Sequence, residues 1–232
     1  MTITQNNMDI EKLKIKDMAK AGVAYGYSKT RRNPSTKGFI HGTQNGIDII
    51  DLNKTKEQIK EAIIFLNSVK ASGKKILFVG EKPEIIQIVK EVALSIGEPY
   101  VTNRFIGGAI TNFPQIKKRI EKLHKMIEER DSGAWAKFTK KEQLLMQREL
   151  EKLDKNFGGL GEMTNLPGAV IVVDSKHEEI PVKEAAIAHI PVISLSNTDC
   201  DISTIEYPII CNDSSRSSIE MILNVIKSNL AN

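Results

Sequence analysis

Basic side chains collect near the start of the chain, in a stretch that contains no acidic residue. No Asp or Glu occurs between Met18 and Ile47. The cations of this stretch are Lys20, Lys29, Arg31, Arg32 and Lys37, and Tyr25 and Tyr27 lie among them. Arginine can bind phosphate through two hydrogen bonds, and tyrosine can stack on an unpaired base. The stretch therefore predicts contact with nucleic-acid phosphates, and the alternative is a solvated loop with a few core aromatic residues.

The sequence offers little for catalysis. Asp174, Asp199 and Asp201 follow predicted strands, so a carboxylate site could form there, although such aspartates more often cap helices. The turn 79–82 has one glycine where a dinucleotide loop has three, and no phosphate-loop, nucleophile-elbow or H-E-x-x-H motif occurs. We therefore predict no catalytic residue and no enzyme activity. A small-molecule- or nucleotide-binding α/β enzyme remains the alternative.

Cysteine usage argues against a disulfide framework or a four-thiolate zinc site. Cys200 and Cys211 are the two cysteines of the chain, and buried reduced thiols are the simplest interpretation. The alternative is a mixed site with His189 or Asp199, although the spacing matches no metal motif. We predict no metal and no cofactor.

Two charged amphipathic segments must position part of the basic surface. Apolar residues recur at spacings of four, three and four in each segment, which predicts two helices with one apolar stripe each. The stripes are Ile116, Ile120, Leu123 and Ile127 in the first segment and Met146, Leu150, Leu153 and Phe157 in the second. The run 139–142 forms a capping box, and the run 132–135 is typical of a turn. The segments therefore predict an antiparallel helical hairpin.

The rest of the chain alternates between strands and helices. Continuous apolar runs predict strands at 75–80, 100–101, 169–174, 191–195 and 207–210, and periodic segments predict helices at 9–21, 54–72, 178–189 and 214–230, with a further helix that starts at Pro83. This pattern indicates a three-layer α/β domain with a parallel sheet, flavodoxin-like or Rossmann-like, and an inserted helical hairpin. We divide the chain into 1–111 (basic segment and first half of the α/β domain), 112–157 (hairpin) and 158–232 (second half). Residues 39–42 and 46–52 predict a β-hairpin.

Charge is distributed unevenly along the 232 residues. The net charge is +4, but residues 1–158 carry 29 Lys and Arg against 19 Asp and Glu, whereas residues 159–232 carry 4 against 10. A basic front and an acidic back suggest one face for nucleic acid and another for solvent or a protein. Apolar runs are too short to span a bilayer, and the start resembles no signal peptide, so we expect a cytoplasmic protein without membrane contact.

Several colinear motifs carry a family resemblance. The run 103–112, N-R-F-I-G-G-A-I-T-N, resembles the R-W-x-G-G-x-L-T-N signature of the small-subunit ribosomal protein S-two family, with Phe105 in place of tryptophan. Matching blocks extend from Gly22 to Asp213. Ala24 and Tyr27 replace two histidines of the family pattern, so neither position offers an imidazole for a metal or for proton transfer.

The resemblance implies a structural constituent of the small ribosomal subunit in the cytoplasm. It implies contact with small-subunit ribosomal RNA and neighbouring ribosomal proteins, in many bacteria including protein S-one, and no small-molecule substrate. The RNA-binding residues that we predict are Lys20, Lys29, Arg31, Arg32, Lys37, Arg104, Lys117, Lys118 and Lys122. A protein scaffold that binds no RNA is a third hypothesis.

Overall fold

A computed structural model of the protein describes residues 13–230, which form eight strands and seven α-helices. The strands are β1 (Tyr25–Ser28), β2 (Ile40–Gln44), β3 (Ile47–Ile50), β4 (Ile76–Val79), β5 (Tyr100–Val101), β6 (Ala169–Val173), β7 (Val192–Ser196) and β8 (Tyr207–Ile210). The helices are α1 (Ile15–Lys20), α2 (Leu52–Ala71), α3 (Ile86–Ile96), α4 (Phe113–Asp131), α5 (Lys140–Phe157), α6 (Glu179–Ile187) and α7 (Arg216–Leu230).

A five-stranded parallel sheet forms the centre of the fold. Its strand order is β5-β4-β6-β7-β8, and every neighbouring pair is parallel. Counted from β4 as the first strand, this is the 2-1-3-4-5 order of flavodoxin-like domains. The structure confirms the predicted α/β class.

Side chains of each central strand alternate between two hydrophobic layers. In β4, Ile76 and Phe78 pack with the layer that contains α2, α3 and α7, whereas Leu77 and Val79 pack with the layer that contains the root of the α4–α5 pair. All four side chains are buried, as expected for a parallel sheet covered on both faces. The sheet thus separates the hairpin from α2 and α7.

A small antiparallel sheet of order β1-β3-β2 carries the basic stretch. The predicted β-hairpin is confirmed as β2 and β3, which are joined at Asn45 and Gly46. Both residues have positive φ angles, 51° and 79°, as a two-residue type I′ turn requires. Strand β1 was not predicted, and it pairs with β3 rather than forming an open loop.

Helices α4 and α5 form the predicted antiparallel hairpin. Gly133 has a φ of 75° in the connection, and the side chains and backbone of Thr139 and Glu142 form the predicted capping box. Trp135, the single tryptophan of the chain, is buried at the tip. Met126 is buried at the position where the predicted stripe has Ile127, which is half-buried.

Some predicted boundaries differ from the structure. Helix α3 begins at Ile86 and not at Pro83, because the Lys82 carbonyl accepts from Ile85 and closes a tighter turn first. Asp51 is the residue that caps α2. Of the helix predicted at 9–21, the part before residue 13 lies outside the described residues. None of the helices in the described range is long and apolar enough to cross a membrane.

Candidate nucleic-acid interface

The basic stretch is attached to the α/β domain through the loop after β7. The Thr198 side-chain oxygen accepts from the Tyr27 amide at 2.9 Å, and the Thr198 carbonyl accepts from the Asn33 amide and the Thr36 hydroxyl, both at 2.8 Å. Gly26 permits this approach, since a Cβ there would lie 2.7 Å from the Thr198 Cγ2 atom. The stretch is therefore held rigidly, although it has few apolar residues.

Arg32 makes an internal ion pair. Its guanidinium donates to Asp48 through Nε, 2.7 Å from Oδ2, and through Nη2, which also donates to the Thr43 hydroxyl. The Asp48 carboxylate is fully buried, and the hydrogen bond from Arg32 lowers its pKa. Arg32 thus neutralises a buried charge on β3, and its predicted RNA contact remains a prediction.

The other predicted cations of the stretch point to solvent. Lys20, Lys29, Arg31 and Lys37 are all exposed. Arg31 lies over the ring of Tyr27, 4.8 Å from its centre, which restricts the guanidinium without neutralising it. These four side chains can therefore offer their full charge to an anionic partner.

Arg104 and the glycine pair stand at the root of the hairpin, where a buried carboxylate fixes the chain. The Glu184 side chain accepts from the backbone amides of Gly108, Ile110 and Thr111 and from the Thr111 hydroxyl. Glu81 similarly accepts from the Phe105 amide. These contacts set the direction in which α4 leaves the domain, and Arg104 remains exposed beside them.

The three predicted cations on α4 have different surroundings. Lys122 forms an ion pair with Glu149 of α5, and Lys117 lies 3.4 Å from the Thr164 carbonyl oxygen. Lys118 is exposed and forms no ion pair within residues 13–230. The charge of Lys122 is thus partly compensated inside the protein.

The carboxyl edge of the sheet is where flavodoxin-like domains bind ligands, at the switch point between β4 and β6. Here the Lys82 ammonium lies 2.6 Å from the Asp174 carboxylate and 3.2 Å from that of Asp213, and Asn197 donates to Asp213 at 3.0 Å. Burial alone would lower the pKa of Lys82, but the hydrogen bond to Asp174 and the two carboxylate charges raise it above its ordinary value. At the switch point, the Lys82 ammonium and the two carboxylates are therefore already paired with one another.

The same cluster contains side chains of the types that can bind a metal ion. Cys200 lies with Asp174 and Asp213 in a group whose ligand atoms are within 4.8 Å of one another. Burial and the two neighbouring carboxylates raise the pKa of Cys200 to about 12, so the thiol is protonated at neutral pH and is not a ready nucleophile. At the place of the family histidines, the Tyr27 hydroxyl lies 2.8 Å from the Ser214 hydroxyl. We interpret the contacts of Cys200 and of Tyr27 as contacts that stabilise the fold.

Three further cations were missed by sequence reasoning. Arg119, Arg148 and Lys152 are exposed and line a cavity on the flank of the hairpin. The spacing of Arg148 and Lys152, four residues apart on a helix, is a signal that they share a face. The Glu184 contacts were missed as well, because no local pattern shows which amides a distant carboxylate will meet.

The fold and its charges together define a class of protein, an α/β scaffold that presents cations on two projecting elements, as proteins that bind nucleic-acid phosphates do. Comparison with known proteins then gives the family. The family model described as Ribosomal protein S2 matches residues 18–232. The chain therefore belongs to the ribosomal protein S2 family, whose members are structural, non-enzymatic components of the ribosome.

Individual relatives agree with this assignment, and all carry the name small ribosomal subunit protein uS2. The protein of Amoebophilus asiaticus is 43% identical over 91% of this chain and 67% of its own length. That of Coprothermobacter proteolyticus is 41% identical over 91% of this chain and 79% of its own length. That of Karelsulcia muelleri is 38% identical over 93% of this chain and 97% of its own length.

Proposed function

We propose that the protein is a structural constituent of the small ribosomal subunit in the cytoplasm and binds small-subunit ribosomal RNA through two surfaces. The first is the basic stretch with Lys20, Lys29, Arg31, Arg32 and Lys37. The second is the hairpin and its root, with Arg104, Lys117, Lys118 and Lys122. The observation that carries the proposal is the attachment of the basic stretch, since exposed cations on a hydrogen-bonded segment lose little entropy when they bind phosphate.

Binding through phosphates predicts a steep dependence on salt. Each neutralised phosphate contributes about −0.7 to −0.9 to the slope of log affinity against log salt concentration. The double variant K29A/R31A should lower the magnitude of the slope by roughly 1.4–1.8. The matched control is K60A/K74A, which removes two exposed lysines that lie outside the basic stretch and the hairpin. An equal slope in both variants would move the RNA contact away from the basic stretch.

Association with the subunit is tested by sedimentation. A tagged copy of the full chain is expressed in a bacterium, and its position is followed by blotting across a sucrose gradient. We expect the protein in the small-subunit fractions at low salt. Free protein at the top of the gradient, whether alone or with a co-purified metabolite, would refute the proposal.

We further propose that neighbouring ribosomal proteins, and protein S-one where it is present, contact the acidic part of the chain. Residues 159–232 carry the excess of acidic side chains, and Ile180 and Ile187 are 53% and 70% exposed on one face of α6. Exposed apolar residues beside charged ones are typical of protein interfaces. Pull-down of purified protein S-one by the wild-type chain, and its loss in I180D/I187D, would support this contact; equal recovery by both chains would oppose it.

A further inference from the structure

Two cavities lie against α5 and share Asn156 as a lining residue. The first lies on the flank of the hairpin, has a volume of about 670 Å³, and is lined by residues that include Ile116, Arg119, Arg148, Lys152 and Leu153. The second lies at the hairpin root beside the edge strand β5, has a volume of about 260 Å³, and is lined by residues that include Lys90, Tyr100, Asn103, Asp154 and Lys155. Because Asn156 lines both, the two cavities adjoin at this residue, and we call the pair the groove.

Five cations line this groove, namely Arg119, Arg148 and Lys152 on the flank and Lys90 and Lys155 at the root. All five are exposed, and none forms an ion pair with another residue of the range 13–230. Two carboxylates also line the groove. Of these, Glu149 is already paired with Lys122, which leaves Asp154 as the one lining carboxylate that opposes the five cations. The groove therefore has an uncompensated positive charge.

Three of the cations are arranged along α5. Arg148, Lys152 and Lys155 occupy one face of α5, and a helix rises about 1.5 Å per residue, so Arg148 and Lys152 are separated by about 6 Å along the axis. Such a row suits a polymer that carries one charge on each unit. At the root, Lys90 lies over the Tyr100 ring, 6.0 Å from its centre, which directs the ammonium toward the smaller cavity.

The floor of the groove is apolar, and its end is polar. Ile116, Leu153 and Phe157 lie beneath the flanking cations and are each 7% exposed. Asn103 and Asn156 supply amide groups at the root, where the Asn103 side chain is fixed by a hydrogen bond to the Lys155 carbonyl at 2.8 Å. Cations for phosphates, an apolar floor for base faces and amides for base edges are the chemistry of single-stranded RNA binding.

We propose that this groove binds a single-stranded segment of RNA, with phosphates on Arg119, Arg148 and Lys152 and one nucleotide in the cavity at the root. The inference rests on the proposed function, and it assigns RNA contact to a side of the hairpin that does not include Lys117 or Lys118.

The first test uses the full chain and a fluorescent oligouridylate of about 12 nucleotides, within the usual site sizes for single strands. Variant R148A/K152A is compared with the control K60A/K74A. Loss of two phosphate contacts should lower the magnitude of the salt slope by about 1.4 and, if the lines for variant and wild type meet near 1 M salt, the affinity by about 25-fold at 0.1 M. Both replaced residues are exposed on a helix, and far-UV circular dichroism checks that the variant is folded.

The second test places a photocrosslinking amino acid at Asn156 in the groove, in chains assembled into small subunits. The comparison position is Glu121, which is exposed on α4 and lines neither cavity. An RNA adduct from position 156 that ribonuclease shortens supports the proposal. An adduct to protein from position 156, or no effect of R148A/K152A on oligouridylate binding, overturns it. The wild-type chain is sedimented in parallel, so failure of the groove, with normal sedimentation, is distinct from failure of the proposed function.

Discussion

Replacement of Lys82 by methionine should lower the free energy of unfolding, because it removes the cation from the ion cluster at the carboxyl edge of the parallel sheet. Methionine keeps most of the volume of the side chain but removes the ammonium from between Asp174 and Asp213. Asp213 is 1% exposed, and the Lys82 side chain is 18% exposed. The substitution leaves one buried and one half-buried carboxylate without a cation, although Asn197 still donates to Asp213.

Loss of one partner of a buried ion pair costs about 3–5 kcal/mol, because the remaining charge is left uncompensated. This is a large part of the roughly 5–15 kcal/mol that stabilises a typical domain. In the wild-type protein, Lys82 overcomes the effect of burial and holds the pKa of Asp174 below its usual value, whereas burial raises the pKa of Asp213. Asp174 therefore contributes stability above its unfolded pKa, and this is lost as the pH falls through the folded value.

The K82M variant should show the opposite pH dependence. Without the ammonium, both carboxylates have pKa values above the unfolded value of about 3.9, so the folded state binds protons more readily than the unfolded state. The deficit against wild type should therefore be largest near pH 7.5 and shrink toward pH 5. The double variant K82M/D213N, which removes the buried carboxylate, should recover roughly half of the loss.

The assay is urea unfolding followed by far-UV circular dichroism at pH 7.5 and pH 5. The control is K176M, because Lys176 lies 2.9 Å from Asp199 but is 58% exposed, and loss of a surface pair costs under about 1 kcal/mol. The reasoning would be refuted if K82M lost no more stability than K176M at pH 7.5, or if its deficit did not depend on pH.

Three further predictions concern the contacts that attach the hairpin and the basic stretch to the α/β domain. E184A should remove the acceptor of four donors and cost about 3 kcal/mol, and hydrogen exchange of the amides at 108–111 should become faster, whereas E184Q should show a smaller effect. G26A should cost roughly 1–3 kcal/mol in urea unfolding because of contact with Thr198, and G38A, whose Cβ would have no neighbour within 4 Å, should cost less than half as much. R32M should lower the free energy of unfolding at pH 7, and the difference from wild type should decline as the pH falls and Asp48 is protonated; no decline in acid unfolding curves would contradict the role of this pair.

Local periodicity predicted the helices and strands that bury continuous apolar surface. The stripes of α4 and α5 and the buried run of β6 follow directly from the side-chain repeat of each element. Strand β1 escaped prediction because Tyr25–Ser28 has no apolar alternation, and its pairing depends on the distant Thr198. Sequence patterns show what an element buries but not which polar atoms it meets.

The candidate site was predicted less completely for the same reason. Composition located the exposed cations Lys29 and Arg31, but it could not separate them from Arg32, whose partner Asp48 lies just beyond the acid-free stretch. The cluster of Lys82 and Asp213 joins residues 131 positions apart. Such pairs become visible only when strand order is known, because parallel strands bring their carboxyl ends to one edge of the sheet.

The buried Trp135 side chain at the tip of the hairpin is an intrinsic fluorescent probe. Trp135 is the sole source of tryptophan emission, and it lies at the opposite end of α4 from the parallel sheet. Fluorescence therefore reports on the far end of one projection, whereas circular dichroism averages over the whole chain. If RNA binding orders that end, emission will change with no substitution and no dye, and the order in which the projection and the sheet unfold can be measured in a single sample.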